Sequence, residues 1–244
     1  MGHTINFMLQ GKGGVGKSFC CAALAQYLIA KSKPPRCFDT DPVNATFHGY
    51  AALNVQRFEI MEGDEIAPRS FDPMVEQLAT VDADVIIDSG ASSFLPLTHY
   101  LLSNDVFGLL RESFGHKVVV HTIVTGGQAM LDTLHGFASL ARQLPADVSF
   151  VVWLNPFWGP IEHEGRGFEQ LKAYKDNKDR ISAVIPIPLR KADTFGRDVS
   201  ELLARRLTFA EGIADKSLPI MARQRLTMYQ RDLFAQLDNA GMVL

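Results

Sequence analysis

The sequence predicts an α/β fold, a single three-layer domain with a mainly parallel sheet and helices on both faces. Three observations predict it. Short runs dense in Val and Ile recur along the chain and read as strands buried on both sides. Stretches of good helix formers alternate with them. A glycine-rich segment falls between the first such run and the first helical stretch. The 244 residues suffice for one large domain, and 47% hydrophobic with 21% charged content supports a substantial core and excludes a disordered or tail-like chain. No internal repeat, low-complexity tract or Gly/Ser linker divides residues 1–244, so they are read as one unit, with C-terminal helices over about 195–240 packed on it.

Each element has its own reason. Residues 3–10 form an apolar run fit for a buried strand, and residues 17–30 carry strong helix formers with no breaker. Pro34 and Pro35 stop that helix. Residues 36–39 read as a second short strand ending in acid. Residues 84–88, 117–124, 148–154 and 181–187 complete the strand set, with helices over 128–144 and 198–206. The stretch 49–79 is the least regular; it suggests a short strand over 57–61 and a helix after Ser70. Near the C-terminus Ile220, Met221, Leu226, Met228, Tyr229, Leu233, Phe234 and Leu237 recur at helical spacing, which predicts a helix packed on the outer face of the sheet.

Composition narrows the function classes. A formal net charge of −3 excludes a globally basic nucleic-acid coat but not a local patch. Between Arg190 and Arg231 nine Lys and Arg stand against five Asp and Glu, a surface that suits DNA, an acidic partner or simply solvent. No apolar run reaches the roughly 18 residues of a membrane span. A peripheral membrane helix would prefer more Lys and Arg beside the C-terminal apolar stripe, so packing on the sheet is favoured while peripheral membrane contact stays open. Met1, Gly2, His3 and Thr4 start no export signal. Cys20, Cys21 and Cys37 form no CxxC, and adjacent cysteines within a helix do not pair, so they read as reduced, packed thiols of a cytoplasmic chain.

The segment Gly11-Lys12-Gly13-Gly14-Val15-Gly16-Lys17-Ser18 fits G-x-x-x-x-G-K-[ST] between a strand and a helix, the context that the phosphate-binding loop requires. Glycines let the backbone wrap an anion with its N–H groups inward, and the helix that follows adds its positive end. Lys17 would reach the β- and γ-phosphates and Ser18 would hold Mg²⁺. Nucleotide binding through Gly11, Gly13, Gly14, Val15, Gly16, Lys17 and Ser18 is the direct expectation, on a P-loop NTPase fold.

A second lysine, Lys12, makes the loop Lys-Gly-Gly-Val-Gly-Lys-Ser, which resembles the deviant Walker A loop of the MinD and ParA type ATPases. That resemblance implies ATP as ligand and a face-to-face homodimer, with Lys12 reaching the nucleotide of the facing subunit as a cation supplied in trans. The stretch Asp39-Thr40-Asp41-Pro42, followed by Asn44-Ala45-Thr46, is similar to the family's acidic element. By resemblance, Asp41 positions the attacking water and Asp39 lies close to the metal; on their own, two acids ending a strand also serve as turn formers. Residues 84–88 resemble the family's Walker B strand, with Asp88 placed to hold Mg²⁺. Gly90 suits a loop that moves when the γ-phosphate leaves, and equally an ordinary turn. Asn155 matches a strand-end asparagine that reads adenine, and Pro188 belongs to the next strand end, which borders the base.

Within that family the chain resembles, along its length, the TraL conjugal transfer proteins of broad-host-range plasmids. The likeness rests on the opening loop, 39–46, Asp88-Ser89-Gly90-Ala91-Ser92-Ser93-Phe94, Val124-Thr125-Gly126-Gly127-Gln128-Ala129 and the run 151–165. It implies a slowly hydrolysing ATP-operated dimer switch serving conjugative plasmid DNA transfer, partnered by the conjugation machinery. The rival expectations are a ParA-like partition or positioning ATPase that binds DNA, a metabolic phosphotransferase of the same fold, and a nucleotide-holding scaffold.

Overall fold

The computed structural model describes residues 2–241; Met1, part of the stretch read for an export signal, and the end of the 1–244 span beyond Gly241 lie outside the described residues. Seven strands form one sheet: β1 Thr4–Met8, β2 Arg36–Asp39, β3 Gln56–Arg57, β4 Val85–Asp88, β5 Lys117–Thr125, β6 Ser149–Asn155 and β7 Ile181–Pro186. Their spatial order is β7-β6-β5-β1-β4-β2-β3, and every pairing is parallel. The chain leaves central β1 toward one edge and later returns to fill the other. The crevice at the C-terminal end of β1 is therefore the topological switch point where such sheets bind ligands.

The helices longer than one turn are α1 Lys17–Ala30, α2 Asp72–Ala79, α3 Phe94–Ser103, α4 Met130–Gln143, α5 Arg197–Ala204, α6 Phe209–Ala214 and α7 Ile220–Asn239. Alternate strand residues feed opposite faces of the sheet. Ile5, Phe7, Val85, Ile87, Val118, Val120, Phe150 and Val152 pack under α2, α3 and α4. Met8, Ile86, Val119, Ile123, Val151 and Trp153 pack under α1 and the C-terminal helices. The small residues Cys20, Cys21, Ala22, Ala23 and Ala25 let α1 bury nearly all round, between the sheet and α7. The cysteines are free and buried, as expected.

The sheet also carries one buried polar chain on the α1 face. Trp153 Nε1 donates to His121 Nδ1 at 3.0 Å, His121 Nε2 meets Asn6 Oδ1 at 3.0 Å, and Asn6 Nδ2 donates to the Val85 carbonyl at 2.9 Å. Because Nδ1 accepts, the proton of the neutral ring sits on Nε2. Burial pushes the His121 pKa down to about 3.

Two expectations change. The strand expected over 57–61 is split. Gln56–Arg57 joins the sheet edge, and Phe58 N makes a last bond to the Asp39 carbonyl at 3.0 Å. Beyond it β2 has ended, no backbone remains to pair with, and Met61–Glu62 instead pairs with Glu65–Ile66 in a small hairpin. In α7, Leu226, Tyr229, Leu233 and Leu237 bury as expected, but Ile220 and Met221 stand exposed at its first turn. The helix packs on α5, α6, α1 and the edge strand β7, and its buried leucines share a core cluster with Val151, Trp153 and Ile185 of the sheet.

Candidate nucleotide site

The loop joining β1 to α1 turns through Gly14 at φ +72° and Gly16 at φ +102°, a left-handed backbone that glycine adopts without strain. Gly16 is the residue at the start of α1, and no side chain caps the helix. The N–H groups of the first turn are thus left for an anion. Residues 11–14 are exposed, and Val15 is buried and anchors the loop.

Lys17, at the first position of α1, is buried and folds back so that Nζ donates to the Lys12 carbonyl at 2.9 Å. Burial lowers its pKa, against the pull of Asp88 and Asp41. Ser18 Oγ donates to Asp88 Oδ2 at 2.5 Å, while Asp88 Oδ1 is sealed from solvent with no hydrogen-bond partner. Burial, and then the neighbouring Asp39 carboxylate, push the Asp88 pKa up to about 7; the Ser18 bond and Lys17 act the other way. A buried carboxylate with an orphaned oxygen beside a hydroxyl fits a hard cation. Among the described residues no group of three or more His, Cys, Asp or Glu is placed to hold a metal. Mg²⁺ at this pair would complete its shell with phosphate oxygens and water.

Asp39 lies directly across from Asp88 in the β2–β4 register. It is fully buried, and its two oxygens accept the backbone N–H groups of Asp41 at 2.8 Å and His48 at 2.9 Å, so it shapes the loop after β2. Asp41 Oδ1 in turn accepts from Val43 N at 2.9 Å and Asn44 N at 3.1 Å. Its carboxylate rests on Gly90, within 2.5–2.8 Å of where a Cβ would stand, so a side chain at position 90 would displace it. Asp41 follows the end of β2, Asp88 ends β4 and Lys17 opens α1, and both carboxylates act on the charge of Lys17.

The Lys12 side chain is paired with α4. Its Nζ lies 2.7 Å from Asp132 Oδ2 in the first turn of α4, an exposed pair. That hydrogen bond holds the Asp132 carboxyl below its ordinary pKa. Lys12 N also donates to Gln10 Oε1 at 3.2 Å, and Gln10 Nε2 donates to the Ile123 carbonyl at 2.9 Å, so Gln10 ties the loop to β5. Sequence reasoning named neither Gln10 nor Asp132. A polar residue closing an apolar strand was a signal for Gln10; nothing local points to Asp132, which is 120 residues from its partner.

Asn155 ends β6, and its amide donates to the Val15 carbonyl at 2.8 Å while its oxygen accepts from Phe157 N at 3.1 Å. One amide hydrogen and one oxygen lone pair remain. Beside it opens a cleft of about 230 Å³ that reaches Gly14 and Gly16 and is bordered by Phe19, Phe157, Trp158, Ile187 and Pro188. Of the nine cations between Arg190 and Arg231, four are held in ion pairs: Arg190 and Arg231 with Asp232, Arg205 with Asp215, and Arg225 with Asp198.

Comparison with known proteins bears on this geometry. Residues 7–203 match the family described as the CobQ/CobB/MinD/ParA nucleotide binding domain. Two proteins named Protein TraL, both from Escherichia coli, are 61% and 60% identical over 239 residues, covering 98% of this chain and 99% of each relative. A chain of the MinC:MinD cell division protein complex of Aquifex aeolicus shares the fold at a TM-score of 0.51 and 14% identity, over 96% of both chains. No helix among the described residues is long and apolar enough to cross a membrane. The chain therefore belongs to the CobQ/CobB/MinD/ParA nucleotide-binding family and, within it, to the TraL proteins.

Proposed function

We propose that this protein is an ATP-operated dimer switch in conjugative plasmid DNA transfer, working in the cytoplasm as a component of the conjugation machinery. One observation carries the nucleotide reading: an uncapped α1 N-terminus, Lys17 and the Ser18–Asp88 pair converge where the glycine loop leaves β1. The triphosphate takes the open N–H groups of that loop and Lys17 Nζ, which releases the Lys12 carbonyl. Ser18 and Asp88 would hold Mg²⁺, with Asp39 beside them. A cation bound there would supply charge neutralisation to the phosphates. Asn155 and Pro188 border the base in the apolar cleft.

Asp41 orients the attacking water. The water oxygen forms a bond to the γ-phosphorus as the bond from that phosphorus to the bridging oxygen breaks. ADP keeps the electron pair, and phosphate leaves with one proton released. Lys12 from the facing copy completes each site. Support for a facing copy comes from the rim: Val43, Leu95, Leu131, Phe157, Trp158 and Leu189 are all exposed apolar residues. They lie in the segments that follow β2, β4, β5, β6 and β7, hence at one end of a parallel sheet. Such a patch favours association.

The test is sedimentation and turnover with ATP and Mg²⁺. The expected result is an ATP-dependent dimer with slow hydrolysis, ATP binding weakened about 10–100-fold in Lys17→Ala, and hydrolysis lost in Lys12→Ala. A protein that stays monomeric with ATP, and whose Lys12→Ala variant hydrolyses normally, overturns the switch.

A further inference from the structure

We infer that Tyr229, on the C-terminal helix α7, is the hydrogen-bonding group that meets the base of the bound nucleotide. The inference rests on the nucleotide reading above and adds to it a residue that lies outside the matched span 7–203. Tyr229 borders the cleft beside Gly14 and Gly16. It is 7% exposed, with its ring in the core against Phe209 at 6.0 Å. A phenol so deeply placed ordinarily finds a partner for its hydroxyl. Tyr27 and Tyr100 do so, on Asp238 at 2.7 Å and Asp72 at 2.6 Å. No described residue accepts from or donates to the Tyr229 hydroxyl. Nor is that hydroxyl among the polar atoms sealed from solvent without a partner, which are Arg57 Nε, Asp88 Oδ1, Thr98 Oγ1, His116 Nε2, Arg180 Nε and Arg223 Nε. It therefore keeps some exposure, and Tyr229 lines the cleft.

The rest of the lining explains why this matters. Phe19, Ile187, Val199 and Leu203 give the cleft apolar walls; Arg190, which pairs with Asp232, and Ser200 on the exposed side of α5 also border it. Asn155 is half committed, to the Val15 carbonyl and Phe157 N. A planar heterocycle entering between such walls has a polar edge to satisfy, and an unpaired buried polar group is costly. Tyr229 supplies one neutral group that both donates and accepts. The same contact connects the nucleotide to α7, whose far end grips the last turn of α1 through Asp238, Tyr27 and Lys31.

Tyr229→Phe tests this, because it removes one oxygen and keeps the ring in its packing. Binding of ATP and of inorganic tripolyphosphate is measured by calorimetry, with Mg²⁺ present, on the full chain and the variant. Tripolyphosphate has the phosphates but no base. The expected result is ATP binding weakened about three- to tenfold in the variant, with tripolyphosphate binding unchanged and an unaltered thermal melt. Equal ATP affinity in the two proteins overturns the assignment of Tyr229 and leaves the nucleotide site standing. Parallel losses for ATP and tripolyphosphate overturn it too, since they signal a general structural role. A native chain that binds neither probe overturns the nucleotide reading, and the role of Tyr229 with it.

Discussion

His121 shows how one buried side chain sets a property of the whole chain. Its neutral ring bridges Trp153 and Asn6, and burial holds its pKa near 3 against an ordinary 6.5. The folded pKa is depressed, so this group's share of stability is full above pH 6.5 and is lost as pH falls toward 3, where only the unfolded chain takes up the proton. The loss is about 1.4 kcal/mol per pH unit. Urea denaturation at pH 7.5 and pH 5 should show it. The native protein should lose about 2 kcal/mol more across that interval than His121→Gln, whose baseline stability is lower. Equal losses would refute the assignment. At this scale the sequence was legible wherever a residue acts through its immediate neighbours. Lys17, Ser18 and Asp88 follow from a loop motif and a strand end; in the fold Ser18 bonds to Asp88, whose carboxylate also feels the charge of Lys17. His121 was hidden in a Val-rich strand, because its partners come from β1 and β6.

Between elements, the pair that joins the glycine loop to α4 has the most consequence. Lys12 and Asp132 meet at 2.7 Å with both side chains exposed, so their bond does little for stability. It does hold Lys12 within its own subunit. If the proposed dimer needs Lys12 in the opposite site, Asp132 competes for it. Asp132→Asn should leave the melting temperature unchanged and allow ATP-dependent dimers at a few-fold lower protein concentration, read by sedimentation. Dimerisation at the native concentration, or a lower melting temperature, would remove Asp132 from the switch. Elements were readable when periodicity and breakers agreed, as for α1, which starts at Lys17 and ends at Ala30. The split near Phe58 was not readable, because it depends on where β2 stops being available for pairing. The cleft walls were equally obscure: Phe19, Trp158 and Tyr229 come from three separate segments.

For the whole molecule, the proposed symmetry makes a prediction that no single variant can make. In a two-fold dimer each site would combine its own Asp41 with the partner's Lys12. Lys12→Ala and Asp41→Ala proteins should each be inactive alone. In a mixed dimer, the subunit carrying Lys12→Ala keeps its Asp41 and receives an intact Lys12 from its neighbour, so its site is whole. The other site lacks both groups. Equal mixing makes half of the dimers mixed with one working site each, so about a quarter of native ATP turnover should return. Were Lys12 to act within its own subunit, every site in the mixture would lack one group and no activity would return. The contact of Lys12 with Asp132 agrees with the trans arrangement, since this lysine's ammonium is held by α4 while Lys17 Nζ sits on the Lys12 backbone carbonyl.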